Sequence, residues 1–236
     1  MVAESPAVRP PTGVADVLHE ARAATDHPKP LLRGWLHLLW FEVSLVFGTL
    51  LLVKVSGPAR VTATAVYVVS VSALFGASAL YHRGNWCSAW RARLQRLDQA
   101  MIFLLIAGTA TPVFLLAVGG TLGLSCLLAL WTLTIGAVVI RMARMNARER
   151  VVGGTFIALG LLAGAALPAV WLRDGVTPGI LMLVGGVLYI AGALSYHRRW
   201  PNPRPRVFGF HEVFHVYVCA AATCQYIAIA LFVSGR

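Results

Sequence analysis

Two histidines four residues apart, His211 and His215, are the first feature of this sequence that could do chemistry. On an α-helix, residues at i and i+4 share one face with Cβ atoms about 6 Å apart, so both imidazoles can hold one metal ion. Ser78 and His82 have the same spacing, which turns a hydroxyl and an imidazole to one side. A third histidine from a neighbouring helix would complete a three-imidazole set, which suits zinc and leaves a fourth position for water. Asp98 adds a carboxylate that can hold or deprotonate that water. Each of these residues also has a simpler use. A histidine at a bilayer interface can be an amphipathic anchor, as Tyr and Trp are. Asp98 can pair with Arg96 or cap a helix N-terminus. His197 is a control: Tyr196-His197-Arg198 repeats the ending Tyr81-His82-Arg83, but Ala193 stands where a serine would match Ser78. His197 is therefore expected at the interface, with a ligand role only in reserve.

The elements that must position these residues follow from composition. Of 236 residues, 58% are hydrophobic and 12% charged, against about 25% charged in a soluble domain. So little charge cannot cover a soluble surface, and disordered, collagen-like and disulfide-stapled classes are excluded as well. Charge-free stretches then mark bilayer spans, each about 20 residues long as a helix. Residues 61–82, 151–172, 175–197 and 213–235 are such stretches, and 34–53 is another, broken only by Glu42. Residues 99–140 are twice the length of one span, with Gly119-Gly120-Thr121 near the middle as a turn. The pattern predicts an all-α membrane protein, a bundle of seven transmembrane helices at about 34–53, 61–82, 99–118, 122–141, 151–171, 176–197 and 210–233. The membrane domain covers 31–236, behind a tail at 1–30. In the tail, Val14, Val17, Leu18 and Ala21 have the spacing of a short surface helix, and nothing resembles the apolar core of a cleavable signal.

The net charge of +11 points to lipid contact and orientation rather than to nucleic acid. The tail and the connections after the second, fourth and sixth spans hold sixteen of the twenty Lys and Arg residues; the opposite side holds Lys54, Arg60, Arg173 and Arg236. This bias predicts a cytoplasmic N-terminus and an external C-terminus. His82 then ends the second span, Asp98 opens the third, and His211 and His215 open the seventh, all on the cytoplasmic side. Ionisable groups in a bilayer are expensive, so each is a functional candidate by default. Glu212 points about 100° away from His211 and is expected to bind an inner-loop arginine or cap the last helix. Glu42, mid-span, is expected to be protonated, paired or facing a polar cavity, and neither it nor His37 has an assigned role. Cys126, Cys219 and Cys224 fall in spans and Cys87 in a loop, as reduced thiols. Cys219 continues the stripe of His211 and His215 and is expected to be packed rather than ligating.

The ordered set Ser78-Ala79-Leu80-Tyr81-His82, Asp98 followed by Ile106-Ala107-Gly108-Thr109-Ala110-Thr111-Pro112, and His211-Glu212-Val213-Phe214-His215 resembles the hemolysin III family. This is the bacterial branch of the progestin and adipoQ receptor (PAQR) superfamily. Lys29-Pro30 and Arg33-Gly34-Trp35-Leu36-His37 are similar to the start of its actinobacterial-type members, so the resemblance covers roughly residues 29–233. It implies a seven-helix bundle in the bacterial plasma membrane, with Zn2+ held near the inner leaflet by His82, His211 and His215. It implies that Asp98 and Ser78 position or activate a water there. Relatives are linked to hydrolysis of ceramide-type amides and to membrane homeostasis, so the implied partners are membrane lipids, ceramide or a free fatty acid among them. One departure is Ala110, where a larger, often aromatic residue is expected; it bears on pocket shape and not on the ligands. Three functions compete. The first is a zinc-dependent lipid amide hydrolase. The second is a sensor of membrane state with structural zinc. The third is a pore-forming lysin, disfavoured because the polar groups gather at one end instead of lining the spans.

Overall fold

A computed structural model describes residues 29–143 and 149–234; the surface helix expected over 14–21 lies outside them. Among the described residues, seven helical stretches are long and apolar enough to cross a membrane. They are α1 (Trp35–Lys54), α2 (Pro58–Arg83), α3 (Ser88–Pro112) with a π-helical extension over Val113–Val118, α4 (Gly120–Ala143), α5 (Glu149–Gly164) with α6 (Leu167–Asp174) as one span, α7 (Val176–Arg198) and α8 (Phe210–Ser234). Between α3 and α4, Gly119 and Gly120 have φ of +68° and +61°, a left-handed turn that glycine accepts without steric cost.

Two spans are irregular, and proline accounts for both. Pro112 offers no N–H to the carbonyl four residues back, and the helix widens into the π turn. In the fifth span Pro168 withdraws a donor in the first turn of α6, and the chain breaks at Ala165 and Ala166 before the helix restarts. The third span corrects an expectation. Its helix begins at Ser88 rather than near 99, because Arg91, Arg93 and Arg96 end the apolar stretch without ending the helix. Asp98 therefore lies well inside α3 and is not its N-cap. Nor does it pair with Arg96, whose guanidinium donates to the carbonyls of Ala92 and Met142.

Consecutive spans pack side by side, and α1 closes the ring against α8. Burial separates inner from outer helices. In α2 and α3, 61% of the most apolar window is buried, and in α8 44%, against 17–22% in the other four spans. The three enclosed helices are the ones that carry Ser78, His82, Asp98, His211 and His215. Around them Tyr67, Phe75, Phe103 and Ile229 form the core. Leu39, Val46, Leu128 and Ile135 stand on the outside, a surface that suits lipid and not water.

Candidate metal centre

α2 brings Ser78 and His82 inward on successive turns at the arginine-rich end of the bundle, both buried. α8 begins at the same end and presents His211 and His215 one turn apart. The ligand atoms of His82, His211 and His215 lie within 4.8 Å of one another. His82 Nε2 and His211 Nε2 face each other at 3.1 Å. Tetrahedral zinc, with bonds of about 2.0–2.1 Å, holds two nitrogens about 3.3 Å apart, so this pair already has the spacing of co-ligands. Three imidazoles also match the three-protein-ligand sets of zinc sites with an open position. Asp98 Oδ2 lies 3.8 Å from His82 Nε2, with its side chain 19% exposed.

His37, which spacing left without a role, belongs to this cluster. It is buried, and its Nδ1 and Ser78 Oγ form a 2.8 Å hydrogen bond. Its ring stacks on that of His215, with centroids 3.7 Å apart and planes 12° from parallel. Phe75 meets it edge-on at 5.1 Å. Its Nε2 is buried and has no hydrogen-bond partner among the described residues. A signal for this placement does exist in the sequence. His37, Ser44, Gly48 and Leu51 recur at helical spacing, and His37, Gly48 and Leu51 are the buried residues of α1.

The remaining candidates are placed as follows. Glu212 is fully buried; one carboxylate oxygen takes the Arg33 guanidinium and the other caps α8 by accepting from Gly209 N–H at 2.8 Å. Its arginine thus comes from the segment before α1 rather than from an inner loop. Gly34 ends that segment with φ +80°, and a Cβ there would stand 2.7 Å from His82 Cβ, so glycine lets the segment lie against the cluster. His197 is exposed at the end of α7, outside the cluster, because it sits about 200° around the helix from the buried Ser195. Cys219 is buried in the apolar core. Glu42 is exposed on the flank of α1. Ala110 is packed in the core as well.

Beside the cluster, a cavity of about 260 Å³ opens between α1, α2 and α8. Trp40, Val71, Phe75 and Tyr226 line it, and the exposed Phe47 and Ile227 stand at its lip. Phe75 is thus shared between the cavity wall and the edge of His37.

A family model described as Haemolysin-III related matches residues 25–226. Hemolysin-3 of Bacillus cereus is 28% identical over 177 residues, covering 73% of this chain and 76% of that protein. The Hemolysin-3 homolog of Bacillus subtilis (strain 168) is 24% identical over 139 residues, 59% of this chain and 62% of that protein. The Heptahelical transmembrane protein ADIPOR2 of Oryza sativa subsp. japonica is 33% identical over 123 residues, 48% of this chain and 54% of that protein.

Proposed function

The chain belongs to the haemolysin-III-related family, and from that premise we propose that this multi-pass membrane protein is a zinc-dependent hydrolase of lipid amides, ceramide being the type. In this reading it sits in the bacterial plasma membrane with its arginine-rich end in the cytoplasm. The observation that carries the reading is the convergence of His82, His211 and His215 within 4.8 Å, with a carboxylate beside them. Bound zinc would supply a Lewis acid for the amide carbonyl and lower the pKa of water to about 7.

The chain's own residues do the rest. Asp98, through Oδ2, takes the proton that the attacking water gives up and returns it to the leaving amine. Ser78 orients the water beside that carboxylate, and its own hydroxyl is held by His37 Nδ1. The apolar cavity between α1, α2 and α8 takes the acyl chain from the bilayer and keeps bulk water away. In this reading the carbonyl end of the acyl chain lies by Phe75, which the cavity wall shares with the edge of His37.

The test is metal content by elemental analysis, followed by fatty-acid release from a ceramide panel. Wild type is expected to carry about one zinc per chain, and a His211→Ala/His215→Ala variant none. Wild type without metal, after purification free of chelators, would reduce the three histidines to interface residues. Zinc-loaded wild type that releases no fatty acid would leave a structural ion and end the hydrolase reading.

A further inference from the structure

A rim of cations stands at the mouth of the histidine cluster, with too little negative charge among the described residues to match it. Lys29 and Arg33 come from the segment ahead of α1, Arg83 from the end of α2 and Arg91 from the first turns of α3. The segment is tied down. Leu31 and Leu32 N–H donate to the carbonyls of Arg206 and Val207, each at 3.1 Å, and Gly34 lies against His82. Among the described residues, Lys29 Nζ donates to the Gly84 carbonyl just past α2, at 3.5 Å. Burial there, with Arg91, Arg33 and Arg83 close by, holds the Lys29 ammonium below its usual range. Arg33 is taken by Glu212, and Asp98 faces His82. Among the described residues, no carboxylate pairs with Lys29, Arg83 or Arg91.

Like charges gathered in this way repel unless an anion joins them. Two tryptophans set the depth of the rim. Trp35 and Trp86 are 47% and 36% exposed, and exposed tryptophans mark the headgroup level of a bilayer. The Arg83 guanidinium lies 4.0 Å over the Trp35 ring, which leaves its N–H edges for another partner. Trp86 is fixed by donating to the Leu80 carbonyl at 2.9 Å. We propose that Lys29, Arg83 and Arg91 form a phosphate-binding rim at the mouth of the cluster. Its ligand is a phosphate group, carried by a membrane lipid or free in solution. The assignment is independent of hydrolysis.

The test uses the full chain in neutral phosphatidylcholine nanodiscs. These are doped with a fluorescent phosphatidic acid or its phosphatidylcholine counterpart and read by energy transfer from the protein's tryptophans. Wild type is expected to prefer the phosphatidic acid by roughly tenfold. Lys29→Ala/Arg91→Ala loses that preference. Arg198→Ala/Arg204→Ala, which removes the same charge from the same end, retains it. Lys29→Arg/Arg91→Lys also retains it, which separates loss of charge from loss of fold. Displacement of the probe by inorganic phosphate assigns the rim to free phosphate as well, and no displacement assigns it to the lipid headgroup. Equal loss in the two alanine variants, or no preference in wild type, overturns the proposal.

Discussion

His37 connects a candidate metal ligand to the polar group beside it, by bonding Ser78 through Nδ1 and stacking its ring on His215. Groups that orient metal ligands from behind typically change metal affinity 10–100-fold. His37→Ala is therefore expected to weaken zinc binding by roughly tenfold in competition with a chelator; unchanged affinity would make His37 a mere packing residue. Asp98→Ala is expected to behave in the opposite way, keeping the metal while fatty-acid release falls by about 10²–10⁴-fold. If the metal left with the carboxylate, Asp98 would be holding the ion and not moving a proton. The sequence made the two His and Ser pairs at i, i+4 legible because one helix turn fixes their relation. It hid the His37 bond to Ser78, which spans 41 residues and depends on how α1 packs on α2. It also hid the partner of Glu212, because Arg33 lies 179 residues away.

Helices meet the bilayer and the cluster by different rules, and the two rules were not equally legible. Charge-free length located seven spans because unpaired charge is expensive in lipid. The same rule set the start of α3 too late, since Arg91, Arg93 and Arg96 leave the bilayer while the backbone stays helical. Nor does hydropathy see Pro168 as a break, although the backbone does. Between elements, the most demanding contact is Arg33 on Glu212, which ties the segment ahead of α1 to the start of α8 with the carboxylate fully buried. Removing one member of a buried pair typically costs about 3–5 kcal/mol, because the remaining charge has no partner. Arg33→Ala should therefore destabilise the protein by about 3 kcal/mol, a figure at the lower end because Arg33 keeps 22% exposure. Arg33→Ala/Glu212→Gln should recover part of that loss. Thermal unfolding in detergent measures both, and a double variant no more stable than the single one would show that the pair contributes no buried charge.

At the scale of the whole molecule, the seven spans among the described residues put the segment ahead of α1 and the end of α8 on opposite sides, and the arginines choose between the two orientations. By the order of spans along the sequence, sixteen Lys and Arg residues are expected on the N-terminal side and four on the other. Short basic connections resist translocation, so the N-terminal side is expected to face the cytoplasm. The histidines sit at that same end, where α2 finishes and α8 begins. Orientation therefore decides more than topology, because under the proposed function it selects the leaflet from which the cavity between α1, α2 and α8 would draw a lipid. A C-terminal alkaline phosphatase fusion is expected to be active, since that enzyme folds only outside the cytoplasm, and a C-terminal green fluorescent protein exported in unfolded form is expected to be dark. The reverse pair of readings would place the histidine cluster at the outer leaflet. Zinc and lipid amide would then come from outside the cell, and the rim of Lys29, Arg83 and Arg91 would face outer-leaflet headgroups.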